Sequence, residues 1–329
     1  MTEYVIRRFF LALVTIWIVL TFVFFVLRVL PGDYAEQQLA NQFFATAARS
    51  EEQRAEQLAL ARARLGSDKP LYEQYGRFWW SILRGKSEDS FQYNRSSFSV
   101  AAESLPYTVQ LGVMSLVIGV LLALPVGTLT AIRPDGALDG FLRIFAIFFL
   151  AAPAFLTAAI ASAYAIKYDI LTIGVTSQEL IWEDPWASFQ LFIVPALAGG
   201  LATGAILMRF LRSGMLEVLR QDYVRTARAK GLAGSVIIFR HVLRNALIPV
   251  VTILGFIIAS LVAGNVVLET MFAIPGMGFE ILTAIRIRDI PVTQTFTLLL
   301  VGAVVFVNLA VDLSYFLIDP RVTVGGAEA

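Results

Sequence analysis

Six long apolar segments are the feature of this sequence that most constrains its fold. A helix needs about 20 predominantly apolar residues to cross the hydrocarbon core of a bilayer, and each of the six reaches that length. Hydrophobic residues make up 57% of the chain, against roughly 45 to 50% in soluble domains. The sequence therefore predicts an all-α polytopic membrane protein with six transmembrane helices. The segments are residues 9–30, 105–132, 141–166, 189–210, 247–268 and 293–318.

The distribution of cations predicts which ends of these helices face the cytoplasm. Arg7 and Arg8 precede the first segment, and a basic loop, residues 212–246, follows the fourth. Because short cytoplasmic loops are enriched in Lys and Arg, the N-terminus and this loop are predicted to be cytoplasmic. Six spans then put the tail, residues 320–329, on the same side. The first segment is too long for a signal peptide and lacks a cleavage site, which indicates a retained span.

Residues 31–103 are predicted to form a helical extracytoplasmic insertion after the first span. Ser50 and Gln53 form a capping box ahead of a helix that ends before Gly66. A second helix, Leu71 to Arg84, has one apolar face. This face suits the membrane interface or the outer end of the transmembrane bundle, and ordinary helical packing explains it equally well. The face consists of Leu71, Tyr75, Phe78, Trp79, Ile82 and Leu83.

Prolines and glycines predict irregularities in the apolar helices. Pro106 suits the first turn of the second span, because proline is tolerated at a helix start. Pro125 and Pro153 lie inside helical patterns and are expected to kink or unwind them. Gly200 and Gly204 in the fourth span permit close contact with another helix.

Polar residues at the predicted membrane depth are few. Asn265, Asn308 and Asp312 lie in the last two spans, where polar groups are costly and often functional. A hydrogen bond between helices explains Asn265 equally well, and helix contact or a partner such as Arg321 is the favoured interpretation of Asp312. Residues 269–291 contain Pro275, Gly276 and Gly278 and predict a turned-back outer loop. The candidates for a translocation path are Asn265, Glu269, Asn308 and Asp312.

The sequence lacks the residues that common catalytic and metal chemistry requires. It has no cysteine and one histidine, which excludes disulfides, thiolate chemistry and a histidine-rich metal site. An intact phosphate loop, an HExxH motif and a Gly-x-Ser-x-Gly motif are also missing. The net charge of +1 gives no overall field to attract nucleic acid. We therefore predict a chain that is not an enzyme, holds no cofactor or metal and binds no nucleic acid.

The basic loop predicts a helix, a glycine turn and a second helix. Residues 222–230 carry small side chains between cations, and Gly231 suits the left-handed position after a helix. Ser235 is predicted to cap the second helix. A helix lying on lipid headgroups, an orientation signal and a nucleic-acid contact are alternative interpretations. The small side chains of Thr226, Ala227 and Ala229 favour close approach by another protein instead.

The basic loop also resembles a known family. The runs YVRTARAKG and RHVLRNALIPV are similar to permease subunits of binding-protein-dependent ABC importers, in the dipeptide, oligopeptide and nickel branch, and to the first permease of the pair. In the wider family the motif is Glu-Ala-Ala, followed by any three residues and then Gly. Here Arg225 stands at the position of the Glu, and Gly231 stands at the position of the Gly. Residues 40–64 fit the pattern poorly. Other similar stretches are LGSDKPLYEQY (65–75), ETMFAIPGMG (269–278), RDIPV (288–292) and NLAVDLSYFLIDPR (308–321).

The resemblance implies a type I ABC importer permease fold with a permease core over residues 104–319, preceded by the N-terminus and first span at 1–30. It implies a sister permease, two ATP-binding subunits that hold ATP and Mg, an extracytoplasmic solute-binding protein and a bacterial or archaeal inner membrane with its lipid. The basic loop would then dock on the ATPase. The implied coupling residues are Asp222, Tyr223, Arg225, Thr226, Ala227, Arg228, Ala229, Lys230, Gly231, His241 and Arg244.

Two other functions stay open at this point. An ion-coupled secondary transporter usually needs ionisable groups near the membrane midplane, and the sequence has almost none there. A membrane scaffold that moves no solute is the other. The transported substrate is also open among dipeptides, oligopeptides, glutathione-like peptides, opines, nickel chelates and oligosaccharides.

Overall fold

The computed structural model describes residues 2–29, 68–90, 92–170, 178–262 and 266–318, together with positions 55, 58, 59 and 62. Regular structure in these ranges is helical, apart from one isolated bridge between Asp89 and Ser96. The predicted capping box of Ser50 and Gln53, the tail at 320–329 and Asn265 lie outside the described residues.

The helices of the described ranges are named in chain order. A single turn, Gly234–Val236, and a π-helical segment, Ile237–Val242, lead directly into α8. The helices are α1 (Thr2–Val29), α2 (Leu71–Leu83), α3 (Ser97–Ile132), α4 (Ala137–Ala151), α5 (Ala154–Lys167), α6 (Pro185–Leu219), α7 (Asp222–Ala229), α8 (Leu243–Val262), α9 (Val266–Met271), α10 (Met277–Ile287) and α11 (Ile290–Ile318).

Five stretches of helix in the described ranges are long and apolar enough to cross a membrane. A sixth span results if α4 and α5, which meet at an angle of 104°, are counted together. The predicted all-α, multi-pass fold is confirmed. The five stretches are Ile6–Arg28, Ser97–Ile132, Pro185–Leu219, Gly234–Leu261 and Ile290–Val311.

The break between α4 and α5 occurs at Pro153, as the sequence predicts. Ala152 is extended, with φ −74° and ψ 127°, because the proline ring clashes with a helical conformation of the preceding residue. Pro153 then precedes the first residue of α5. The third predicted span is therefore two short helices with a sharp bend between them.

Two predicted helix starts are displaced. Pro106 lies inside α3 instead of in its first turn, because that helix begins nine residues earlier, at Ser97. Helix α6 begins before the predicted span, where Asp184 caps it by accepting hydrogen bonds from the backbone N–H groups of Trp186 (2.9 Å) and Ala187 (3.0 Å). Pro185 occupies the first helical position, which suits its fixed φ.

The structure divides into two compact units, and the first comprises residues 1–105 and 277–302. In this unit the apolar face of α2 packs against α1, where Phe78 joins Leu20 and Phe24 in a buried cluster. The Nε of Arg28 also donates to Oε1 of Gln74 at 2.7 Å. Ordinary helical packing therefore explains the middle of the predicted apolar face of α2, whereas Leu71 and Leu83 at its two ends are exposed.

Helix α10, also in the first unit, occupies a stretch for which the sequence predicted only a turned-back loop. Met277 and Ala284 are buried and Ile281 is partly buried, and they pack with Val292 and Phe296 of α11. Their spacing of four and three residues is that of one helix face. The helix was not predicted from the sequence, and this apolar face was the available signal for it.

The first residues of α11 are fixed by Asp289, which is 1% exposed. Its Oδ1 accepts a hydrogen bond from the N–H of Val292 at 3.3 Å, and this side-chain cap satisfies a donor at the helix start. Its Oδ2 accepts from Oγ of Ser90 at 2.6 Å and from the N–H of Gln92 at 3.1 Å. One carboxylate therefore ties the loop before α3 to α11.

The second unit comprises residues 106–276 and 303–329. Helices α3 and α6 approach closely in this unit: a Cβ added to Gly204 would lie 3.1 Å from the carbonyl oxygen of Gly119. The predicted close contact at Gly200 and Gly204 is confirmed. One hydrophobic cluster joins α3, α6, α7, the π-helical segment and α8 through Ala123, Ala131, Leu207, Met208, Leu211, Met215, Val224, Ala227, Ile237, Val242, Ala246, Val250 and Ile257.

Candidate functional site

Helix α7 is attached to the rest of the second unit by two buried side chains. Val224 is 0% exposed and Ala227 is 7% exposed, and a separation of three residues places them on one helix face. Both belong to the hydrophobic cluster that contains Met215 of α6 and Ala246 of α8. A displacement of α7 is therefore opposed by packing against the ends of two long helices.

The remaining side of α7 is exposed. Among the described residues, one ion pair lies on this side: it joins Arg225 Nη1 to Asp222 Oδ1 at 3.4 Å, and these side chains are 74% and 94% exposed. An exposed pair of this kind contributes little to stability, so its charges remain available to another molecule. The exposed residues are Asp222, Tyr223, Arg225, Thr226, Arg228, Ala229 and Lys230.

The prediction that Ala227 shares an exposed small-residue surface with Thr226 and Ala229 is wrong. Ala227 is buried against the core, whereas Thr226 and Ala229 are exposed. The physical reason is that Val224 lies one turn earlier on the same face, and burial of this valine turns Ala227 inward. The small side chain of Ala227 allows α7 to approach its own core.

Gly231 ends α7, as predicted from the sequence. Its φ is +76°, in the left-handed region that glycine enters without a steric cost. The N–H of Gly231 donates to the carbonyl of Arg228 at 3.0 Å, and the N–H of Leu232 donates to that of Ala227 at 3.3 Å. These two bonds form a Schellman motif, which satisfies carbonyls that the helix end leaves open.

The second helix of the basic loop starts differently from the prediction. Ala233, not Ser235, is the residue before its first turn, and Ser235 lies inside that turn. A π-helical segment follows and contains Arg240 and His241. Such segments are wider than an α-helix and are frequent at functional sites.

Tyr223 links α7 to α8 by a hydrogen bond. The Nδ2 of Asn245 donates to Oη of Tyr223 at 2.9 Å and to the carbonyl of His241 at 3.0 Å. His241 is partly buried, and Arg244 is exposed at the start of α8. The structure therefore brings the predicted residues Tyr223 and His241 together through Asn245, which was not among the predicted site residues.

The predicted pathway residues have different surroundings. Glu269 is 0% exposed and accepts a hydrogen bond from Oγ1 of Thr108 at 2.8 Å. It lies directly under the turn at Gly276, where an added Cβ would be 2.5 Å from Cδ of Glu269. Asn308 is exposed on α11, and only the backbone of Asp312 is described. In this conformation Glu269 is closed off from solvent.

An ion pair between α4 and α6 was not predicted from the sequence. Asp139 is 1% exposed and receives two hydrogen bonds from Arg212, from Nε at 3.1 Å and from Nη2 at 3.0 Å. The N–H of Asp135 also donates to it at 3.0 Å, and Arg143 Nε lies 3.5 Å away. A lone acid at the start of an apolar helix was the available signal.

Metal coordination has no candidate group in the part of the chain that the structure describes. No set of three or more His, Cys, Asp or Glu side chains there could hold a metal ion. What the described residues of the basic loop present is an exposed basic side of α7 on a buried anchor.

Two family models match the chain. The model for the inner membrane component of binding-protein-dependent transport systems matches residues 123–324, which is more than half of the chain. The model for the N-terminal part of the membrane component of these systems matches residues 1–112. The chain belongs to this family. The resemblance found in the basic loop is thereby confirmed.

Curated relatives match along nearly the full length. The chain is 30% identical over 324 residues to a dipeptide transport system permease of Lactococcus lactis, covering 98% of this chain and 99% of that protein. It is 33% identical over 327 residues to a glutathione transport system permease of Pectobacterium atrosepticum, with coverage of 98% and 99%. A probable D,D-dipeptide permease of Escherichia coli is 35% identical over 289 residues, with coverage of 81% and 84%.

One solved structure supports the fold. An amino acid ABC transporter with histidines aligns with a TM-score of 0.51 over 66% of this chain and 93% of its own, at 14% identity. Family and fold agree with the prediction. The chain is a transmembrane pore-forming permease subunit of an ATP-driven importer, and it works within a transporter complex.

Proposed function

We propose that this permease imports peptides or related small solutes across the cytoplasmic membrane, and that α7 is the surface on which an ATP-hydrolysing subunit docks. Transporters of dipeptides, of D,D-dipeptides and of glutathione among its relatives support this substrate class. The observation that carries the docking surface is the two-sided character of α7. One side presents cations and small residues, and the other is anchored by Val224 and Ala227.

This arrangement suits mechanical coupling. When ATP binding closes the two ATP-hydrolysing subunits, a docked α7 moves with them, and its buried face carries the movement to α6 and α8. The contact must differ between the inward-facing and outward-facing states, because an equal contact would shift no equilibrium. ATP and Mg belong to those subunits, while this permease contributes no catalytic group.

The same proposal fixes the orientation and the partners. The basic residues of the loop at 212–246 support a cytoplasmic position for the loop and for both termini. Residues 31–103 are then extracytoplasmic, and the core spans 104–319. A sister permease completes the pore, and a separate solute-binding protein delivers the substrate. The contribution of Glu269, Asn265, Asn308 and Asp312 to the path belongs to this proposal.

A pair of tryptophan variants tests the docking surface. Ala229→Trp adds bulk to the exposed side of α7, and Ala137→Trp adds the same bulk to an exposed alanine at the start of α4. We expect Ala229→Trp to abolish solute-stimulated ATP hydrolysis in the reconstituted complex, while Ala137→Trp keeps it. Both variants should insert and assemble. Ala227 is unsuitable for this test, because a large side chain at this buried position would destabilise the fold.

Wild-type stimulation in Ala229→Trp, with normal assembly, would contradict the docking assignment. The driving force needs a separate measurement, namely solute uptake with ATP maintained and ion gradients collapsed. Uptake should persist under these conditions, and its loss would support an ion-coupled carrier. A complex that binds the ATPase and moves no solute would support a scaffold.

A further inference from the structure

An open apolar cavity lies between α3, α4 and α6 of the second unit. Its lining is hydrocarbon: apart from Gly204, every lining residue presents an aliphatic, aromatic or thioether side chain. A peptide or other polar solute in such a site would lack partners for its polar groups. The lining residues are Leu122, Val126, Leu142, Phe145, Ala146, Phe149, Leu201, Gly204, Ala205 and Met208.

One end of this cavity lies a single helical turn from the buried ion pair. Leu142 follows Asp139 by three residues on α4, and Met208 precedes Arg212 by four residues on α6, so each pair shares a helix face. Because Asp139 and Arg212 are hydrogen-bonded, they mark the same end of both helices. The opposite end, at Phe149, is two turns further along α4.

Cations outnumber acids at the marked end. Arg143 has a side chain that is 46% exposed, and Arg209, one turn before Arg212, is exposed. Among the described residues, Asp139 is the carboxylate that forms ion pairs with these arginines, and Arg212 already binds it with two hydrogen bonds. Arg143 and Arg209 therefore leave positive charge beside an apolar cavity.

We propose that this cavity holds one acyl chain of an anionic phospholipid whose phosphate group lies against Arg143 and Arg209. Basic pockets between transmembrane helices on the cytoplasmic side bind anionic headgroups in this way. Placing the arginine end in the cytoplasmic leaflet rests on the orientation given under the proposed function. Hydrocarbon lining along the span and cations at one end match the two parts of such a lipid.

The sister permease is the competing occupant. An apolar cavity in a membrane helix bundle could also receive a side chain from a neighbouring subunit. A side chain from the sister permease would not need the two exposed arginines at the end of the cavity. Its presence would also not make the binding of lipid depend on the charge of the headgroup. The charge of the headgroup therefore separates the two occupants.

The test measures lipid binding to the purified complete transporter by native mass spectrometry, without ATP. The probes are phosphatidylglycerol and phosphatidylcholine with identical acyl chains. Each arginine near a membrane surface contributes about 1 kcal/mol of attraction to anionic lipid, and 1.4 kcal/mol corresponds to tenfold in affinity. Arg143→Gln combined with Arg209→Gln should weaken phosphatidylglycerol binding by about 30-fold and leave phosphatidylcholine unchanged.

A second variant tests the acyl-chain site independently. Ala146→Phe fills the cavity and should reduce the binding of both lipids, whereas Ile144→Phe adds a ring at a position of α4 that is 70% exposed and should change neither. Arg220→Gln removes an exposed cation from the same end of α6, two turns beyond Arg212, and serves as the control for the headgroup variant.

Two results would overturn the proposal. Equal binding of both lipids to the unchanged complex, with no effect of the arginine substitutions, would remove the headgroup site. Loss of the sister permease from Ala146→Phe, with lipid binding intact, would assign the cavity to the subunit interface. Since lipid binding is read without ATP hydrolysis, either result is distinct from a failure of α7 to couple.

Discussion

The contact between α3 and α6 makes Gly200→Ala the most informative single substitution in the transmembrane core. A Cβ at position 200 would lie 2.7 Å from Cγ2 of Ile118, 2.8 Å from its Cβ and 3.0 Å from the carbonyl oxygen of Ser115. Rotation of Ile118 about χ1 moves its Cγ2 but leaves its Cβ and the Ser115 oxygen in place. The added methyl group therefore forces the two helices apart.

The expected loss of stability in Gly200→Ala is obtained by comparison with a matched control variant. Overpacking of this kind costs about 1–3 kcal/mol, while alanine gains about 1 kcal/mol over glycine in a helix interior. Gly302→Ala, in α11, has the same gain, and nothing lies within 4 Å of the added Cβ. We expect Gly302→Ala to be more stable than Gly200→Ala by about 1–3 kcal/mol.

Equilibrium unfolding of the purified protein in mixed detergent and SDS micelles, followed by circular dichroism, measures this difference. The comparison cancels the shared gain in helix propensity and isolates the helix contact. Equal stability of the two variants, or a more stable Gly200→Ala, would refute the close packing of α3 against α6.

Three further substitutions test local features. Gly231→Ala places a side chain at φ +76° and should lower stability by about 1–2 kcal/mol, measured in the same micelles. Asp139→Ala leaves the guanidinium of Arg212 without its buried partner and should lower the free energy of unfolding by about 3–5 kcal/mol. Replacing both Asp139 and Arg212 by apolar residues should restore most of this stability. Burial and the hydrogen bond to Glu280 raise the pKa of Tyr93 to about 12. The folded-state pKa thus exceeds the ordinary value of 10, so this stabilisation is complete below pH 10 and disappears as the pH rises through 12. Thermal unfolding measured across this pH range should show that Tyr93→Phe does not lose stability in this way.

The sequence predicts the membrane helices well, because apolar length alone decides whether a helix can span a bilayer. It also predicts the end of α7, because only glycine enters the left-handed region at Gly231 without strain. Pro153 similarly predicts the break between α4 and α5. In each of these cases a single local rule is sufficient.

It was harder to predict from the sequence which face of a helix is buried and which distant residues come into contact. The composition of α7 shows small residues between cations, but only the packing of Val224 reveals that Ala227 faces inward. The partnership of Asp139 with Arg212 joins residues 73 positions apart, and no local pattern specifies which cation an isolated acid will meet. Helix α10 was missed because the proline and glycine before it dominated the interpretation of the loop.

Site-directed crosslinking from α7 tests the central claim most directly. The chain contains no cysteine, so Arg228→Cys introduces a single reactive thiol on the exposed side of α7, and Ala137→Cys provides an exposed control. With a photoactivatable crosslinker on each thiol, we predict that Arg228→Cys captures an ATP-hydrolysing subunit with a yield that changes on ATP binding, whereas Ala137→Cys does not. Capture of lipid alone from Arg228→Cys, in a complex that retains its ATPase, would contradict the account.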